Sequence, residues 1–126
     1  MVHSSSVWLV VALVTLGACS DPSDSPTDAG TTGTCPDDLP SACPAGAPSY
    51  SADIAPIVEI RCGACHAPGK PQASKTLVDY ADLHALRGPV LNQVYACKMP
   101  PADQPQPTPD ERRALLAWLV CGAPND

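Results

Sequence analysis

The chain has no phenylalanine, and aromatic residues make up only 4% of its 126 residues. A core built from aromatic and aliphatic side chains alone would therefore be thin, so another element must help to hold the fold together. Lysine and arginine total seven against thirteen acidic residues, a net charge of −6. This balance argues against a nucleic-acid partner, because binding to phosphate backbones depends on clustered basic residues.

Proline and cysteine are abundant instead, with sixteen and seven residues. So many prolines, together with eight glycines, argue against a regular helical bundle or a long sheet. Seven cysteines are too many for an ordinary cytosolic protein without metals. The sequence therefore predicts that disulfides or a cysteine-bound cofactor support the fold.

The N-terminus carries an apolar run at residues 7–18, shorter than the roughly 20 residues that span a bilayer. Its length is typical of an export signal. Residues 16–19, Leu-Gly-Ala-Cys, resemble the lipobox of bacterial lipoproteins, which implies a signal peptide of residues 1–18 and a lipid on Cys19. Because the first six residues lack the Lys or Arg of that pattern, an ordinary export signal with a chance cysteine is an alternative. By the same resemblance, Ser20 implies anchoring on the periplasmic side of the cell envelope, with the outer membrane favoured over the inner.

Residues 19–48 are predicted to form a flexible acidic tether. They are rich in Asp, Ser, Thr, Gly and Pro, and residues 19–43 carry five acidic residues without a Lys or Arg. The segment therefore has little to bury and should not fold alone. Cys35 and Cys43 lie within it, and a local Cys35–Cys43 disulfide is their simplest use in an oxidising compartment.

Residues 49–126 are predicted to form the folded domain, which is small enough to need a staple or a cofactor. Asp53, Asp79 and Thr108 are predicted helix caps, and Thr108 opens a capping box with proline at the first helical position. No alternating strand pattern is visible, so the predicted class is all-α with long Pro-rich loops. The four predicted helices run from Ile54 to Cys65, from Asp79 to Leu86, from Gly88 to Cys97, and from Pro109 to a stop at Gly122.

The most informative stretch is residues 62–66, Cys-Gly-Ala-Cys-His. A Cys-x-x-Cys-His segment on a helix places two thiols one turn apart, where both can add to the vinyl groups of one porphyrin. The histidine then lies beneath the iron as its proximal ligand. The pattern predicts one covalently attached haem c, held by Cys62 and Cys65 and ligated by His66.

Three other uses of these cysteines are open. They can form a thioredoxin-like redox pair, although no βαβ pattern surrounds them. They can join His66 and Cys97 in a zinc site, although the usual second pair of closely spaced ligands is missing. They can form a plain disulfide, although two cysteines in one helical turn make a strained pair.

Residues 50–124 resemble a small class I cytochrome c domain. The resemblance rests on the helix leading into the haem motif, on Met-Pro-Pro at residues 99–101, and on a capped C-terminal helix followed by Gly-Ala-Pro at residues 122–124. It implies three to five short helices around one haem, with the N- and C-terminal helices crossing beside it. It also implies six-coordinate iron held by His66 and Met99.

The residues themselves leave the sixth ligand open. Met99 is the one methionine of the domain and lies in a loop stiffened by two prolines, and its thioether favours ferrous iron. Met99 as a core residue and His84 as a rival ligand are the alternatives. The backbone carbonyl of Pro68 or Pro71 is expected to accept the His66 ring N–H.

Two further cysteines are predicted to close this loop with a disulfide. A Cys97–Cys121 disulfide would close a loop that contains Met99 and would hold the iron–sulfur bond in place. Other pairings of the four spare cysteines rank lower, because they would tie the tether across the domain. Trp118, Leu115 and Leu119 are expected to pack on the N-terminal helix and the haem edge.

The sequence as a whole predicts a lipid-anchored, monohaem c-type cytochrome that carries single electrons, and not an enzyme. Its expected partners are redox proteins that donate and accept electrons, and it is expected to be a monomer. Two alternatives stay open. One is a haem domain with an open or labile sixth site that is peroxidase-like or binds a gas, and the other is the electron-entry subunit of a larger oxidoreductase.

Overall fold

The computed structural model describes Cys35 and residues 39–126. This part of the chain is helical and contains no strand, which confirms the all-α class for the described residues. The predicted signal peptide and Cys19 lie outside them. No helix in the described part is both long and apolar enough to cross a membrane. The elements are a π-helical turn at Tyr50–Ile54, α1 at Ala55–Arg61, α2 at Gly63–His66, a 3₁₀ turn at Ala73–Lys75, α3 at Tyr80–Ala85, α4 at Arg87–Tyr95 and α5 at Pro109–Val120.

The first helical segment begins earlier than the sequence predicts. Ser49, not Asp53, is its N-cap, and the Ser49 hydroxyl accepts the N–H of Ala52 at 3.3 Å. The Asp53 carboxylate in turn accepts the Ser49 N–H at 2.9 Å. The predicted start at Ile54 is therefore wrong, because Asp53 acts on the residue before the turn and not as the cap. Cys62 separates α1 from α2 with φ of −113°, so the predicted single helix is divided there.

The two middle helices lie close to where their signals place them. Asp79 caps α3, as predicted, and its carboxylate accepts the N–H of Asp82 at 3.0 Å. Helix α4 begins at Arg87, one residue earlier than predicted, and ends at Tyr95. The predicted end at Cys97 is two residues too late, because Cys97 has a positive φ of 54° and so lies outside the right-handed helical region.

Helix α5 confirms its predicted capping box. The Thr108 hydroxyl accepts the N–H of Glu111 at 3.2 Å, and the Glu111 carboxylate accepts the N–H of Thr108 at 2.7 Å. The helix ends at Val120, and Gly122 follows with φ of +82°, a conformation that glycine adopts without steric cost.

The core lies where α5 packs against the π-helical turn and α4. Trp118 is fully buried, its ring centroid lies 5.7 Å from that of Tyr50, and its indole N–H donates to the carbonyl of Pro124 at 3.0 Å. The sequence places Trp118 on the N-terminal helix, whereas this ring contact is with Tyr50 in the π-helical turn that precedes α1. Aliphatic side chains supply most of the remaining apolar burial, as expected for a chain without phenylalanine. The buried apolar residues are Ile54, Val58, Leu77, Leu83, Val94, Leu115, Leu116, Trp118, Leu119 and Ala123.

Two disulfides fasten the segment before the domain to its helices. Cys35 is bonded to Cys97 and Cys43 to Cys121, with Cα atoms 5.9 and 4.6 Å apart. The predicted Cys35–Cys43 and Cys97–Cys121 pairs are therefore wrong. Leu39 packs against the core, so residues 39–48, which were assigned to the tether, include a part that is held on the domain. Proximity along the chain did not decide the pairing, because this segment lies along the folded surface.

An ion pair joins α1 to α5 immediately before residues 62–66. The Arg61 guanidinium donates two hydrogen bonds to the Glu111 carboxylate, at 3.0 and 3.1 Å. Both side chains are less than one-quarter exposed. The hydrogen bond from Arg61 is the main cause of a lowered pKa for Glu111, and the Thr108 N–H lowers it further.

We expect Glu111→Gln to destabilise the protein by about 1 kcal/mol at pH 7, the range of a partly buried ion pair combined with a helix cap. Because the folded-state pKa of Glu111 is lowered, its contribution is present above the unfolded pKa. It is lost as the pH falls through the folded pKa. Urea unfolding of both proteins at pH 7 and pH 3 should show a smaller difference at pH 3 than at pH 7. Asp110→Asn is the control, because Asp110 lies in the same helical turn but is 94% exposed. An equal difference at both pH values would contradict the prediction.

Candidate functional site

One cavity of about 380 Å³ brings together the four side chains that the sequence singled out. Cys62, Cys65, His66 and Met99 all line it. A more open depression of about 540 Å³ elsewhere holds none of them. The volume of the first cavity is within the range of ligand pockets, and its largely apolar wall is typical of them. Its apolar lining comprises Ile57, Ala64, Leu77, Leu86, Pro89, Val90, Val94, Pro100, Pro101, Pro107 and Leu115.

Local helical geometry places three of these side chains. Cys62 lies between α1 and α2, and Cys65 and His66 lie on α2. The N–H of His66 donates to the Cys62 carbonyl at 2.9 Å, so the motif is wound as a helical turn. Residues three apart in such a turn lie on one side of the helix, which sets both sulfur atoms against the same cavity.

A backbone carbonyl orients the imidazole of His66. Its Nδ1 atom lies 2.8 Å from the carbonyl oxygen of Lys75. Since a carbonyl only accepts hydrogen bonds, Nδ1 carries a hydrogen, and in the neutral imidazole Nε2 is then the nitrogen with a lone pair for a metal. The prediction of Pro68 or Pro71 as the acceptor is wrong, because the chain folds back so that the N–H of Leu77 bonds the His66 carbonyl at 3.0 Å. This return brings the 3₁₀ turn, and not the preceding prolines, to the ring.

The loop between α4 and α5 holds Met99 at the cavity. The Gln93 carbonyl accepts the N–H groups of both Lys98, at 2.9 Å, and Met99, at 3.2 Å. His84 is not among the residues that line this cavity. Its ring lies instead beside that of Tyr80, with centroids 5.4 Å apart. Of the two candidate sixth ligands, Met99 alone lines the cavity with His66.

The states of the cysteines bear on the other uses of the motif. Burial raises the pKa of the Cys62 thiol to about 11, so Cys62 is not the activated thiolate that a redox dithiol needs. Cys97 is bonded to Cys35 and is therefore not a zinc ligand. Cys65 is itself disulfide-bonded in this structure. Attachment of a porphyrin through both sulfur atoms therefore requires reduction of Cys65 first.

Several residues around the cavity were missed in the sequence. Arg112 is only 7% exposed, and its guanidinium donates to the carbonyl of Val94 at 2.8 Å. It also contacts Gln106, whose side-chain oxygen lies 3.4 Å from the second terminal nitrogen of Arg112. One signal could have revealed Arg112, because it shares a helical face with Leu115 and Leu119, which are buried. Leu115 lines the cavity, whereas Trp118 and Leu119 do not, which corrects their expected place at the haem edge.

Comparison of the chain with protein-family models, with curated proteins and with solved structures finds no match. The function is therefore argued from the cavity itself. Within the described residues, no group of three or more His, Cys, Asp and Glu side chains is arranged to hold a metal ion. What the cavity does offer is two sulfur atoms, an oriented imidazole and a thioether within a largely apolar wall.

Proposed function

We propose that this chain is a monohaem c-type cytochrome that transfers single electrons. One observation carries the proposal: Cys62, Cys65, His66 and Met99 line a single, largely apolar cavity. These four side chains lie on three separate parts of the fold, namely the α1–α2 junction, α2 and the loop before α5. A purely structural role for the cysteines would not need a histidine and a methionine at the same cavity.

The residues of the cavity suit a covalently bound haem. Cys62 and Cys65, once both are thiols, would hold it through thioether bonds, and the Nε2 atom of His66 would bind the iron on one side. The thioether sulfur of Met99 would bind on the other side. When bound, the haem supplies an iron that alternates between the ferrous and ferric states.

The cavity favours a carrier over an enzyme. Met99 would fill the sixth position, so that no coordination site is left for a substrate or a gas. A thioether is a soft ligand that stabilises ferrous iron and raises the reduction potential. The largely apolar wall would disfavour water beside the iron, and His66 and Met99 would keep the coordination unchanged between the two states. The proposed partners are redox proteins that donate and accept electrons. If the chain is the electron-entry subunit of a larger oxidoreductase, the same site would serve that role.

The proposed location is the periplasmic side of the bacterial envelope, with a lipid on Cys19. The two disulfides of the described residues suit an oxidising compartment. We expect Cys19→Ala to move the protein from the membrane pellet to the soluble fraction, because the lipid would be its anchor. Fractionation of cells that express both proteins measures this. Cys19→Ala protein that stays in the pellet would remove the anchor from the proposal.

The first experiment is a visible spectrum of protein expressed with a cytochrome c maturation system, beside a denaturing gel stained for haem. We expect haem that survives denaturation, sharp bands after dithionite, and a sulfur-to-iron band in the ferric protein. The Cys62→Ser/Cys65→Ser variant is the control and should carry no covalent haem. Covalent haem without the sulfur-to-iron band would support the open-site alternative, in which cyanide and carbon monoxide bind at once. A colourless wild-type protein would overturn the proposal.

A further inference from the structure

We infer that Gln106 and Arg112 are positioning residues for the sixth ligand, because together they brace the Met99–Pro101 segment against α4 and α5. The inference deepens the proposed function and rests on ligation of the iron by His66 and Met99. Neither side chain lines the cavity. Both therefore act through the loop that carries Met99.

Gln106 holds the carbonyl groups of this loop. Its side-chain nitrogen lies 2.7 Å from the carbonyl oxygen of Pro101, 3.0 Å from that of Gln104 and 3.2 Å from that of Pro100. Prolines have no N–H group to donate, so Pro100 and Pro101 can be fastened through their backbone only at their carbonyls. The amide of Gln106 is the side-chain donor to both carbonyls, and the Gln104 N–H also donates to the Pro101 carbonyl at 2.9 Å.

Arg112 holds Gln106 in place and links it to α4. One terminal nitrogen of its guanidinium donates to the Val94 carbonyl at 2.8 Å, and the other lies 3.4 Å from the side-chain oxygen of Gln106. Val94 lies near the end of α4, one residue after Gln93, whose carbonyl binds the N–H of Met99. The backbone of the Met99 loop is therefore fixed at both sides, by Gln93 before Pro100 and by Gln106 after it.

The burial of Arg112 also indicates a specific role. No carboxylate in the described part of the chain forms an ion pair with it, and burial lowers the pKa of its guanidinium. A buried charge without a counter-ion is costly, and apolar residues in such places are often as stable or more so. An arginine that served only to fill this space would be poorly suited to it. Its forked geometry does suit two acceptors that lie on different segments.

The test compares haem-loaded Gln106→Leu, Gln106→Glu and Arg112→Met with wild type. Arg113→Met is the matched control, since Arg113 is the next residue on α5 and bonds the exposed Asp110. Three properties are measured: the ferric sulfur-to-iron band, the rate of carbon monoxide binding to the ferrous protein, and the pH at which the band is lost. Amide hydrogen exchange at Met99 reports the loop directly.

We expect the three test variants to keep covalent haem but to bind carbon monoxide about tenfold faster, the effect of losing hydrogen bonds worth about 1–2 kcal/mol. Their ferric band should weaken and disappear at a pH closer to neutral, and the Met99 amide should exchange faster. Gln106→Glu should resemble Gln106→Leu, because a carboxylate can accept from Arg112 but cannot donate to the proline carbonyls. Arg113→Met should match wild type.

Unchanged band, carbon monoxide rate and Met99 exchange in folded Gln106→Leu and Arg112→Met would overturn the inference. If Arg112→Met does not fold, Arg112→Lys replaces it: the charge is kept but the fork is lost, so an intermediate rate is expected and a wild-type rate counts against the role. These results differ from failure of the proposed function, in which wild-type protein itself carries no covalent haem.

Discussion

Met99→Ala protein is expected to keep its haem but to bind external ligands that the wild-type protein excludes. The proposed thioether bonds to Cys62 and Cys65 would not involve Met99, so haem should survive denaturation in both proteins. Loss of the proposed sulfur ligand would leave the sixth position open, and the ferric sulfur-to-iron band should vanish. The reduction potential should fall, because a thioether favours ferrous iron. If the iron–sulfur bond is worth about 3 kcal/mol or more, affinity for carbon monoxide should rise by about a hundredfold or more.

His84→Ala is the matched control for this experiment. His84 was the rival ligand in the sequence, but in the structure it packs beside Tyr80 and does not line the cavity. The His84→Ala protein should therefore keep the wild-type spectrum and its resistance to carbon monoxide. A Met99→Ala spectrum identical to wild type, or loss of the band in His84→Ala, would assign the sixth ligand to another residue.

The second large effect is expected from the disulfide between Cys43 and Cys121. It joins residues 78 positions apart in sequence, and the chain-entropy model assigns such a closure about 4.5 kcal/mol, before any native-state strain. That is a large part of the stability of a small domain. We expect Cys43→Ser/Cys121→Ser to unfold at a much lower urea concentration than wild type, with a loss of up to about 4.5 kcal/mol in the free energy of unfolding.

Cys35→Ser/Cys97→Ser provides the comparison, because its disulfide joins residues 62 positions apart and should contribute a similar amount. Proteolysis of the unreduced protein followed by mass spectrometry checks the pairing itself. Linked peptides should contain Cys43 with Cys121 and Cys35 with Cys97. Linkage of Cys35 to Cys43, or urea midpoints unchanged in both variants, would contradict the prediction.

These two disulfides help to explain how the domain is stable with few aromatic residues in its core. Trp118 and Tyr50 supply one aromatic contact in the core, and the remaining buried apolar residues are aliphatic. A domain of this size buries a modest share of its surface and usually needs further support. The two disulfides supply it from residues before the domain, and a covalent haem in the cavity would add apolar contacts with Leu77, Val94 and Leu115, which line it.

The sequence by itself determined those features that depend on neighbours within one or two helical turns. The capping box of Thr108 and Glu111, the cap at Asp79 and the side-by-side placement of Cys62 and Cys65 are of this kind, because the backbone geometry of a helix sets them directly. The all-α character of the described residues followed from the same local patterns. The start of the first helical segment is an exception, since Ser49 is the cap and the Asp53 carboxylate accepts the Ser49 N–H.

Only the tertiary structure decided which distant segments meet. The pairing of Cys43 with Cys121, the choice of the Lys75 carbonyl for His66, and the bracing of the Met99 loop by Gln106 and Arg112 all depend on how loops lie across the helices. The proline-rich loops have no regular hydrogen-bonding pattern from which their path can be predicted. Their positions follow from packing and from side-chain donors that reach their carbonyls, and such contacts join residues that no local pattern relates.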